Sequence, residues 1–111
     1  MPERGLGTAV VRGRSMAPTL ADGDLLLISY GRRPRPGDLV VVRLPDGRPL
    51  SVKRAIHRTA QGWWVERDNP DEGVDSWSVG GIPDHDVIAV VRFRLWPPRR
   101  IRPGSSPEAG R

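Results

Sequence analysis

Residues 38–58 read DLVVVRLPDGRPLSVKRAIHR. Leu39–Val42 is an unbroken apolar run, mostly β-branched, and such side chains fit a pleated strand better than a helix. Pro45 and Pro49 bracket Asp46-Gly47, a pair suited to a tight hairpin turn. Leu50–Arg58 then returns as a second antiparallel strand. Along it, alternation puts Ser51, Lys53, Ala55 and His57 on one face and Val52, Arg54 and Ile56 on the other. Periodicity alone does not say which face is buried.

Working outward, the same pattern of short strands and turn residues continues. Gly7–Gly13 reads as a first strand and Asp24–Ser29 as a second, after the turn at Asp22-Gly23. Pro34 and Pro36 keep the loop at 32–37 extended. Trp63–Arg67 follows a turn, with one tryptophan expected inward and one outward. Residues 68–76 form a polar loop, and Asp86–Trp96 is the last strand. The one helical turn expected lies at Met16–Leu20. The fold class is all-β, or β-rich, with short twisted strands. Residues 1–6 are an N-terminal extension, 7–97 the folded domain, and 98–111 a basic tail with the composition of a disordered segment.

The 111 residues suit one domain with a modest core, since only 37% are hydrophobic. Thirteen glycines and twelve prolines favour turns over long helices. There is no cysteine, which excludes disulfides, thiolate metal sites and a cysteine nucleophile. No metal-ligand spacing is visible, so neither metal nor cofactor is expected. The net charge is +5 and the isoelectric point near 11.2. That balance fits an acidic partner, or simply a basic surface. No apolar run approaches the roughly 20 residues of a membrane span. The stretch MPERGLG has no apolar signal core, so a cytoplasmic location is expected.

The candidate chemistry starts at RGRSMAPTL, residues 12–20. Ser15 suits a helix cap, and Pro18 is tolerated in a first helical turn. The same place puts a hydroxyl beside unpaired backbone N–H groups, which can stabilise an oxyanion. A nucleophilic serine needs a base. His57 and His85 lie in no recognisable catalytic context. Lys53 is the one lysine among 18 basic residues. Arginine does not deprotonate at working pH, whereas a desolvated lysine does. Codon bias toward arginine could also leave a solitary lysine, and an exposed edge-strand lysine stays an open alternative.

Four stretches in order carry a resemblance. Gly13–Asp24 resembles the serine box, and Arg35–Arg58 the lysine box, of the signal peptidase I-like Ser/Lys peptidase family (S26). Val65–Pro83 resembles that family's third box, and Val90–Pro97 its closing strand. The resemblance implies a serine endopeptidase on a β-domain of the type shared with self-cleaving repressors. It implies Ser15 as nucleophile and Lys53 as general base. Ser76 would orient the lysine and Asp75 would support the loop. Gly13, Ser15, Met16 and Pro18 would form the oxyanion and substrate-binding wall, with the Ser15 N–H as one donor.

Three departures stand out. Gly13 occupies a position where many relatives carry a hydroxyl, Arg67 replaces a glycine, and Trp77 replaces an arginine. The last removes an ion-pair partner and puts the stability of that loop in question. The sequence shows no stretch resembling the family's membrane anchor, so an anchorless relative is expected. Small anchorless relatives include the maturation peptidase of nickel-containing superoxide dismutase, similar in size, arginine content and serine box. The implied partner is therefore the N-terminal pro-peptide of a soluble precursor, nickel superoxide dismutase being the candidate. Signal-peptidase processing of exported preproteins is the alternative within the enzyme class. The alternative outside it is a non-catalytic nucleic-acid-binding domain, built on Arg92, Arg94, Arg99, Arg100 and Arg102 with Phe93 and Trp96. Those residues read more simply as a half-buried strand with arginines outward, so no nucleic-acid partner is expected.

Overall fold

The β-branched run forms strand β3 (Leu39–Arg43), and β4 (Leu50–Arg58) returns against it with Val40 opposite Lys53 and Val42 opposite Ser51. These positions come from a computed structural model that describes residues 5–45 and 47–98. Asp46 of the expected hairpin turn and the tail from residue 99 lie outside the described residues. Strand β1 (Gly5–Val10) begins earlier than the expected boundary at 7 and pairs with β2 (Leu25–Tyr30). Strand β5 (Gly62–Glu66) pairs with β4 and with the short β6 (Ile82–Pro83), and β7 (Val87–Trp96) closes the described chain.

The order across the seven-stranded sheet is β1-β2-β7-β3-β4-β5-β6, and every pairing is antiparallel. The last strand is thus inserted between the second and the third. This placement lets the sheet curl round two apolar clusters. Leu39 and Val41 join Met16, Leu20, Leu26, Ile28 and Val52, while Val40 and Val42 join Ala55, Trp63, Val65 and Ile82. Strand β3 is covered on both faces, which is why it reads as a continuous apolar run rather than an alternation. Val40 and Val42 are fully buried. Each such side chain stabilises the fold by about 1.5–3 kcal/mol relative to exposure.

The segment after Ser15 makes a single turn, closed by Leu20 N–H donating to Met16 O at 2.9 Å. A four-residue helix, α1 (Ser76–Val79), begins at the last residue of the expected polar loop, capped by Asp75 accepting from Trp77 N–H. It is too short to show a period, so only its cap residue betrays it.

One expectation fails outright. Arg94 does not point outward on β7; it is 8% exposed, while Phe93 beside it is 49% exposed. Register shifts between Leu25 and Leu26 and between Leu27 and Ile28 turn the local faces over. A bulge of this kind leaves no mark on hydrophobic alternation. The arginine–aromatic surface proposed for nucleic acid therefore loses a central member. Inside, Arg94 Nη1 meets Asp24 Oδ2 at 2.6 Å. The tryptophans behave as expected: Trp63 is buried, and Trp64 faces outward, stacked on His57.

Candidate active site

Lys53 sits at the middle of β4, where the strand is buried on both faces from Val52 to Ala55. Its side chain is 2% exposed. Ser15 reaches it from the turn after β1, and Lys53 Nζ lies 2.9 Å from Ser15 Oγ. With the amine protonated, Nζ donates to Oγ. With it neutral, the same contact lets the hydroxyl donate to Nζ, the direction a general base requires. Burial holds the Lys53 pKa below its ordinary 10.5. The nearby Asp75 carboxylate opposes this, and the Arg67 guanidinium assists it. Desolvation dominates because water no longer solvates the ammonium.

The backbone around Ser15 is clamped by a residue that the sequence reading did not single out. Asn69 Nδ2 donates to Arg14 O at 2.9 Å, and Asn69 N–H donates to Ser15 O at 2.8 Å. The signal was the Asp68-Asn69 pair in the third box. Asp68 extends the clamp: its Oδ2 accepts from Thr19 Oγ1 at 2.6 Å and from Arg54 Nη2 at 2.7 Å. Arg54 also donates to Gly37 O. The residue after the lysine thus ties the serine turn to the strand that carries the lysine. The Ser15 N–H has no hydrogen-bond partner among the described residues.

Ser15 and Lys53 open into a cleft of about 230 Å³, whose wall includes Gly13, Glu72 and Gly73. Gly13 N–H is already held by Asp22 Oδ1 at 2.7 Å, and Arg14 N–H by Glu72 Oε2 at 3.3 Å. Gly73 has φ +107°, and a Cβ there would fall 2.5 Å from Ser15 Cβ. Gly73→Ala is expected to push the serine off its line to Lys53. A displacement of about 1 Å costs on the order of 10²-fold in turnover. Cleavage kinetics beside circular dichroism check it; unchanged kcat in a folded variant would refute it.

The other expected site residues divide. Asp75 is buried, accepts from Arg67 N–H at 3.0 Å and pairs with its guanidinium at 3.3 Å. Ser76 is buried, but its Oγ accepts from Val65 N–H at 2.9 Å and makes no hydrogen bond to Lys53 among the described residues, so the bond expected to orient the lysine is not formed. Met16 is 1% exposed, a core residue whose Sδ accepts from Asp68 N–H. Pro18 is exposed and does not line the cleft. His57 and His85 lie outside the cleft wall as well. Trp77, standing where an arginine was expected, donates from Nε1 to Glu66 at 3.0 Å and packs edge-on against Trp64. With the Arg67–Asp75 pair, these contacts hold the loop whose stability the missing arginine had put in question.

A family model for peptidase S24-like proteins matches residues 2–92. The chain belongs to the Peptidase S24-like family. Within it, the domain is 44% identical over 62 residues to the LexA repressor of Delftia acidovorans (strain DSM 14801 / SPH-1), a match covering 55% of this chain and 26% of that protein. It is 26% identical over 132 residues to mitochondrial inner membrane protease subunit 1 of Xenopus tropicalis, covering 96% of this chain and 79% of that one. This S24-like chain thus spans about a quarter of the repressor's length. A peptidase fold and a serine-peptidase relationship follow. Among the described residues of the S24-like domain there is no helix long and apolar enough to cross a membrane, and no cluster of potential metal ligands.

Proposed function

We propose that the protein is a serine endopeptidase in which Ser15 is the nucleophile and Lys53 the general base. The observation that carries this reading is the 2.9 Å contact between a buried, desolvated lysine and a serine hydroxyl at a cleft wall. Neutral Lys53 takes the Ser15 proton as Oγ attacks the scissile carbonyl carbon. The Ser15 N–H donates to the developing oxyanion. Collapse breaks the C–N bond, and the Lys53 ammonium gives its proton to the departing amine. Lys53 then deprotonates a water that releases the acyl group and restores Ser15. Asp75 and Arg67 set the local field, and Asn69 fixes the serine backbone.

The substrate we propose is the N-terminal pro-peptide of a cytoplasmic precursor, with nickel superoxide dismutase as the candidate. The size, the arginine-rich character and the Arg12–Leu20 box support it. The test is to mix the purified chain with that precursor, alongside a Ser15→Ala variant, and read product masses. A single new N-terminus, absent with Ser15→Ala, is the expected result. The similarity to an inner membrane protease subunit along 96% of this chain favours a second reading, preprotein processing. Cleavage of a signal-peptide substrate in detergent, with the precursor left intact, would transfer the function to it.

A further inference from the structure

Strand β4 carries Lys53 near its middle and Arg58 at its far end, roughly 17 Å away at about 3.3 Å per strand residue. At that end lies a second cleft, of about 610 Å³. Its wall includes Arg32, Arg33, Arg35 and Arg58, with Trp63 and Asp84. The Asp84 carboxylate is hydrogen-bonded to Arg58, at 2.6 and 3.3 Å, and Arg33 adds only a longer-range attraction to it. The exposed side chains of Arg32, Arg33 and Arg35 make no ion pair among the described residues.

The loop that presents these arginines is braced. Arg35 N–H donates to Asp38 Oδ2 at 2.8 Å, and Asp38 N–H donates back to Arg35 O at 3.0 Å. Gly37 N–H donates to Ala55 O at 2.7 Å, Gly37 O accepts from buried Arg54, and Pro34 and Pro36 limit the backbone further. Guanidinium groups on a preorganised loop lose less freedom on pairing than those on a free tail. Trp63 is 3% exposed and lies under the Arg58 guanidinium, 5.6 Å from its ring centroid. It offers no open face on which a nucleic-acid base could stack. Planar guanidinium forks match carboxylates.

We propose that this cleft docks a carboxylate-rich segment of the protein substrate, remote from the bond that is cut. The assignment to a substrate rests on the peptidase reading; the binding chemistry does not. The probe is a fluorescein-labelled peptide of about a dozen residues alternating Glu and Gly, followed by anisotropy with the full chain at about 0.1 M salt. One variant combines Arg32→Ser, Arg33→Ser and Arg35→Ser. A second combines Arg12→Ser, Arg14→Ser and Arg48→Ser, and removes the same charge from the Ser15 cleft. The first is expected to weaken binding about tenfold, and the second by less than about threefold. Equal losses in both, or no loss in the first, would overturn the proposal. So would a single-stranded oligonucleotide of equal charge that binds far more tightly through the same arginines. Binding is read without turnover, so an inactive enzyme leaves this test standing, and failed docking leaves the Ser15–Lys53 reading standing.

Discussion

Replacing Lys53 by methionine is expected to lower kcat/KM by on the order of 10⁴-fold or more, with the fold retained. Lys53 is 2% exposed, and among the described residues its side chain hydrogen-bonds Ser15 alone, so methionine fills the space and removes the base. Stability should move the other way. The folded pKa of Lys53 lies below 10.5, near which the unfolded chain titrates. Between those two values the unfolded state binds more protons than the folded state, so stability climbs with pH through that window. Below the folded pKa the full penalty of charging a buried amine is present. Lys53→Met should abolish this slope and raise the melting temperature at neutral pH. In the parent enzyme kcat/KM should rise with pH, because only the neutral amine accepts the proton, and level off at a pH below 10.5. Parallel pH–rate and pH–melting curves for the two proteins check both signs. Near-parental turnover by Lys53→Met would remove the dyad.

The largest effect on folding is expected from Arg94→Met. Asp24 and Arg94 side chains are 5% and 6% exposed and meet at 2.6 Å. Asp24 also accepts from Ala21 N–H at 2.8 Å, and its backbone carbonyl accepts from Val11 N–H at 2.9 Å. Losing the arginine strands a carboxylate in the core, at a cost of about 3–5 kcal/mol. For a domain of this size that lowers the melting temperature by about 12 °C or more. The double variant Asp24→Leu, Arg94→Met leaves no stranded charge at this position and should recover most of the loss. A single-variant loss under about 1 kcal/mol, measured by denaturant titration, would show that Asp24 finds water or another partner.

The sequence disclosed most of this architecture where side-chain pattern and turn chemistry agree. Strand β4 runs over the expected Leu50–Arg58, and β3 takes in the whole apolar run Leu39–Val42 and extends it by Arg43. Prolines and the Asp-Gly pair bounded that hairpin without ambiguity. Ser15 and Lys53 stood out because one is set among turn residues and the other is a solitary lysine. What stayed hidden depends on geometry that adjacent residues do not encode. A register shift put Arg94 inside and Phe93 outside, against the simple alternation. Strand β4 buries Lys53, Arg54 and Ala55 in succession because both of its faces are covered there, Val52 joining one apolar cluster and Ala55 the other, which alternation within the strand does not reveal. The roles of Asn69 and Asp68 come from contacts across 55 and 49 positions of chain, beyond the reach of any local pattern.

The place of β7 in the sheet has a consequence for the protein's synthesis. The serine-bearing half, β1 and β2, and the lysine-bearing half, β3 to β6, are joined edge to edge through β7. That strand leaves the ribosome after both halves. A nascent chain that stops short of Val87 has each partner of the dyad but lacks the strand that aligns them. On the proposed reading, the register of Ser15 against Lys53 is expected to be completed when β7 pairs with both halves.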